Sequence, residues 1–64
     1  MRYTEFWARM EEALGSGYAR SWADQQVLRG LEGRTVLEAI EAGDPLRLVW
    51  RAVSAELDLP AAQR

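Results

Sequence analysis

At 64 residues the chain is one domain at most. It has no cysteine and no histidine, which excludes disulfide support and the usual zinc sites. Its net charge of −2 gives no general attraction to nucleic acid or to an anionic membrane.

A chain of this size buries only about 60% of the surface it exposes when unfolded. The fold must therefore rest on apolar packing or on a partner. The material is present: 48% of the residues are hydrophobic and three are Trp. All eight basic residues are Arg, which reads as the codon usage of a GC-rich genome rather than selection for guanidinium contacts. No stretch approaches the ~20 apolar residues of a membrane span, and the N-terminus shows no secretory signal. A cytoplasmic protein is expected.

Thr4 is a candidate N-cap for a first helix over 5–14. Phe6, Met10, Ala13 and Leu14 share its inner face, with Trp7 on the edge. Arg9 is within helical reach of Glu5 and Glu12. Gly15 closes the helix and Ser16 can cap a second, over 17–29, with Tyr18, Ala19, Trp22, Ala23 and Val27 on a broad face. Gly30 ends it, and Leu31 is a plug under the core in the loop 31–34.

Thr35 and Glu38 have the spacing of a capping box, so a third helix starts at Val36 and stops at Gly43. Asp44 as N-cap and Pro45 at the first helical position open a fourth. Leu46, Val49, Trp50, Val53 and Leu57 recur on one face of it, and Pro60 marks its end. About two residues join these helices, which forces a sharp corner. No strand pattern, repeat or linker is found. The expected fold is all-α: a compact four-helix domain over 1–60 with short loops, its last two helices meeting at that corner, and a frayed tail over 61–64. The expected core is Phe6, Met10, Leu14, Tyr18, Trp22, Val36, Ile40, Val49, Trp50, Val53 and Leu57, with Trp22 near Trp50.

The segments YTEFWARMEEALG, GYARSWADQQVL and GRTVLEAIEAGDPLRLVWRAV together resemble the domain-of-unknown-function 3046 family of very short actinobacterial proteins. The similarity runs from Met1 to about Pro60. The resemblance implies a small soluble protein with no assigned activity, and a chromosomal position near a recombinase and its regulator. Relatives often carry His in the second helix and Cys after WRAV. Gln26 and Ser54 stand at those places here, which puts a metal or thiol role at those positions in doubt for the family as a whole. The resemblance carries over no catalytic residue.

The residues offer no catalytic, cofactor or metal constellation. Glu11 and Glu12 diverge on their helix, Glu38 is occupied by its cap, and the five glycines sit at helix ends and turns rather than in a phosphate loop. A non-enzymatic role is expected. Leu48, Ala52, Ala55 and Leu59 form a second apolar stripe on the last helix, nearly opposite the core face and bordered by Arg51 and Asp58. Leu48, Arg51, Ala52, Ala55 and Leu59 are the candidate protein-interaction residues, for another protein or for self-association. The alternative is a DNA-associated helix-turn-helix protein linked to recombination or repair. Ala39, Gly43 and Val49 fall at that motif's spacing, and Arg47 and Arg51 would contact DNA. Against it, Asp44 stands where the motif wants an apolar residue.

Overall fold

The computed structural model describes residues 1–63. Four helices form: α1 (Tyr3–Leu14), α2 (Ala19–Gln25), α3 (Val36–Glu41) and α4 (Leu46–Leu57). Between α2 and α3 lie two short strands, β1 (Val27–Leu28) and β2 (Arg34–Thr35), flanking a 3-10 turn at Arg29–Leu31. A second 3-10 turn covers Ala61–Gln63, the stretch expected to fray; Arg64 lies outside the described residues.

The chain is thus mostly helical but not purely all-α. β1 and β2 pair antiparallel, Val27 opposite Thr35 and Leu28 opposite Arg34. Glu32 and Gly33, at φ 59° and 78°, reverse the chain between them, and the Gly33 N–H donates to the Leu28 carbonyl. The expected helix over 17–29 is cut at both ends. A turn closed by Tyr18 N–H on the Gly15 carbonyl delays its start, and Gln26 is already extended (φ −85°, ψ 118°). Burial overrides local propensity here, since the extended backbone carries Leu28, and the 3-10 turn after it Leu31, into the core.

α1 begins two residues early and has no side-chain cap, so Thr4 is not its N-cap. Arg9 pairs with Glu5 at 3.2 Å across one helical turn. Its inner face buries Phe6, Trp7 and Met10. Phe6 is the centre of the core: its ring meets Trp7 edge-on at 5.5 Å and Trp50 edge-on at 6.2 Å. The guanidinium of Arg20 lies 4.0 Å over the outer face of Trp7, which clamps α2 to α1. Among the described residues neither the Trp7 nor the Trp50 indole N–H has an acceptor, so no hydrogen bond fixes either ring.

Of the expected core, Phe6, Met10, Trp22, Val36, Val49, Trp50 and Val53 are buried, while Leu14, Ile40 and Leu57 are half-buried against them. Tyr18 is not in the core: it stands 56% exposed, because the turn before α2 points it outward. Trp7, Ala19, Ala23, Leu28, Leu31, Ala39 and Ala52 are the other buried apolar side chains among the described residues. The Cα radius of gyration, 10.5 Å, matches the ~10.7 Å of a close-packed domain of this length.

The capping box forms as its spacing predicts. The Glu38 N–H donates to Thr35 Oγ1 at 3.1 Å, and the Thr35 N–H donates to Glu38 Oε1 at 2.8 Å. Thr35→Ala removes the first bond and leaves the Glu38 N–H without its side-chain acceptor, while the backbone N–H of residue 35 can still donate to Glu38 Oε1, so it should cost about 1 kcal/mol in urea unfolding. An unchanged midpoint would show that packing of β2 alone sets the start of α3.

Candidate functional site

The corner between α3 and α4 positions the candidate site. α3 ends in paired capping bonds: the Gly43 N–H donates to Ile40 O and the Asp44 N–H to Ala39 O, both at 3.0 Å. Gly43 sits at φ 90°, a conformation that Cβ disfavours, and so supplies the stop expected of it.

Asp44 is not the N-cap of α4, and Pro45 takes that position instead, one residue before the helix. The Asp44 carboxylate turns to Arg34, which donates to both its oxygens, at 2.6 Å from Nη2 and 3.4 Å from Nη1. Arg34 Nε donates to the Leu31 carbonyl at 2.9 Å. One guanidinium therefore ties β2, the first 3-10 turn and the α3–α4 corner together. The hydrogen bond to Asp44 raises the Arg34 pKa above an already high value. A raised basic pKa gives stability that is complete below the unfolded-state pKa and is lost only as pH rises through the folded one. Arg34 therefore stays charged across the neutral range and cannot act as a switch.

From this corner α4 runs 12 residues across the domain. Val49, Trp50, Val53 and Ser54 face inward, and the Ser54 hydroxyl donates to the Trp50 carbonyl at 2.7 Å. Ser54 is thus a buried position on the core side of α4. Gln26 is exposed and lies just past the end of α2 rather than inside it.

The outer face of α4 carries Arg47, Leu48, Arg51 and Ala55, all exposed, and Leu48 is 45% accessible. The other two candidates stand apart. Ala52 is only 9% exposed because the first 3-10 turn lies over it. A Cβ added to Gly30 would stand 2.9 Å from the Ala52 Cβ. Leu59 is half-buried against the core, since the end of α4 folds back through its N–H bond to the Ser54 carbonyl. The apolar stripe is therefore not continuous: Leu48 and Ala55 are its exposed members. Among the described residues neither Arg47 nor Arg51 is in an ion pair.

Beside Ala55 lies an open depression of about 410 Å³ lined by Arg29, Gly30, Ala52, Ala55 and Glu56. Sequence reasoning passed over Arg29 and Gly30, and no local signal marks them. Only the folding of the 3-10 turn onto α4 brings them to this place. Among the described residues no group of His, Cys, Asp and Glu is arranged to hold a metal, and no helix is long and apolar enough to cross a membrane.

Ala39 and Val49 are fully buried around Gly43, as in a helix-turn-helix corner. The rest departs from that class. α3 has only six residues, and the middle of α4 is committed to the core at Trp50. The geometry defines a small, mostly helical domain with a two-stranded clip and a core helix, α4, whose outer face carries Arg47, Leu48, Arg51 and Ala55. The chain belongs to the family described as "Protein of unknown function (DUF3046)", whose model matches residues 1–62. No curated protein and no solved structure matches it.

Proposed function

We propose that this chain is a non-enzymatic, cytoplasmic docking domain, a single unit over 1–60, that binds another protein through the outer face of α4. One observation carries the reading. Leu48 stands exposed between Arg47 and Arg51, and neither guanidinium has an ion-pair partner among the described residues. Two like charges one helical turn apart repel slightly, by about 0.2–0.5 kcal/mol, so their juxtaposition does not stabilise the isolated helix. A partner offering carboxylates around an apolar residue would satisfy all three side chains at once. Ala55 extends the contact, while Ala52, covered by the first 3-10 turn, and Leu59, half-buried against the core, stand outside it.

Among the described residues the other exposed large hydrophobics are Met1, ahead of α1, and Tyr3, Tyr18 and Val27, on α1, the turn before α2 and β1, and none is flanked by such a pair. The reading is tested by capturing partners on tagged chain from native lysate treated with nuclease. Wild type should retain a protein that Leu48→Glu loses, and the variant should keep its helical spectrum and melting midpoint because the side chain is on the surface. Unfolding of the variant would show that Leu48 belongs to the core.

A second reading keeps one favourable observation, the buried Ala39 and Val49 about Gly43. On it, α4 would touch duplex DNA through Arg47 and Arg51. Retention that vanishes with nuclease, and DNA affinity that falls steeply with salt and is lost in the double Arg→Ala variant, would favour it over protein docking.

A further inference from the structure

We infer that the partner this face fits is a second copy of the chain, with α1 of one copy laid on α4 of the other. The inference rests on the docking face proposed above and adds the occupant. The two long helices match in length, 12 residues each, and carry opposite charge on their outer faces. On α1 the exposed residues include Ala8, Glu11 and Glu12, adjacent at helical spacing. Among the described residues neither Glu11 nor Glu12 is in an ion pair. Glu5 does not add to this set, because Arg9 neutralises it at 3.2 Å. On α4 the exposed residues are Arg47, Leu48, Arg51 and Ala55. Glu56 lies round the helix, in the depression beside Arg29, and does not cancel the two arginines.

Each face thus carries two unneutralised charges of one sign beside small or apolar side chains. Seated together, Glu11 and Glu12 of one copy meet Arg47 and Arg51 of the other, and Leu48 covers Ala8. The contact joins two different surfaces, so it closes into a pair or ring, or propagates as a chain, according to the rotation between copies. One helix face is a small area, which places the association in the weak, transient class. Most of its specificity is electrostatic, so salt must weaken it.

The test is sedimentation of the full chain and of two charge-reversed variants, Arg47→Glu/Arg51→Glu and Glu11→Arg/Glu12→Arg. All four positions are exposed, and circular dichroism checks that each variant folds. Wild type should gain mass with concentration near 20 mM salt, and its association constant should fall roughly tenfold or more by about 300 mM. Each variant alone should stay monomeric, because its two faces carry the same sign. An equimolar mixture should associate again, because each variant supplies the face that the other lacks.

Wild type that remains monomeric at about millimolar concentration in low salt overturns the inference, as does either variant associating like wild type. The docking reading fails separately. A monomeric chain that still captures a different protein through Leu48 sinks self-pairing alone. A monomeric chain whose capture is indifferent to Leu48→Glu sinks both.

Discussion

Phe6→Ala should leave the domain largely unfolded at 25 °C. Phe6 is fully buried, and its ring is the shared contact between Trp7 on α1 and Trp50 on α4. Removing a buried Phe side chain costs about 3–5 kcal/mol through lost transfer energy and the cavity left behind. A domain of this length has a total stability of roughly 3–10 kcal/mol, so the loss consumes much or all of it. No disulfide is present to hold the chain while the core relaxes. Circular dichroism and urea unfolding read the result. Tyr18→Ala is the internal contrast: the side chain is exposed, and the midpoint should move by no more than about 0.5 kcal/mol. A Phe6→Ala variant that melts cooperatively near wild type would show that the aromatic cluster is not the centre of the core.

Gly30→Ala should destabilise by about 1–3 kcal/mol, although the residue is exposed and its backbone is not left-handed. The reason is close approach. The added methyl would stand 2.9 Å from the Ala52 Cβ and 3.3 Å from the Ala52 Cα. The Ala52 Cα belongs to the helix backbone and cannot yield without moving the first 3-10 turn off α4. A loss of this size lowers the melting midpoint by about 4–8 °C for each kcal/mol in a domain this small. Ala52→Gly on its own costs about 1 kcal/mol in helix propensity, yet it removes the nearer of the two clashes. The double variant should therefore be more stable than the sum of the singles predicts. Strict additivity would show that the turn and α4 do not bear on each other as the structure has them.

What was legible in the sequence was local. The Thr35–Glu38 box and the Gly43 stop each depend on residues a few positions apart, and both form where their spacing puts them. The inner face of α4 was legible too, because a helical period needs only the helix itself. Contacts at longer range were not. Asp44 reads locally as an N-cap, but its partner Arg34 is ten residues away, and a bidentate ion pair won. The two-residue strands are too short to show alternation, so the antiparallel clip left no pattern to find.

The candidate surface divides along the same line. Leu48, Arg51 and Ala55 lie outside, as their spacing opposite the core face predicts, and Arg47 lies outside with them. Ala52 belongs to the same stripe by period but is covered by the first 3-10 turn, whose placement no helical wheel contains. Leu59 is drawn inward by the cap at the end of α4. Trp7 reads as a stripe-edge residue, yet Arg20 roofs it from another helix and completes its burial.

The proposed docking through the outer face of α4 can be read from a nuclear magnetic resonance footprint. The partner, a second copy or the protein captured from lysate, is titrated into isotopically labelled chain and the amide shifts are mapped. Docking there should concentrate the shifts at Arg47, Leu48, Arg51 and Ala55, joined by Ala8, Glu11 and Glu12 when the titrant is a second copy, with the buried amides of Val49 and Val53 little changed. Shifts centred instead on Tyr18 and Val27, with α4 silent, would contradict it.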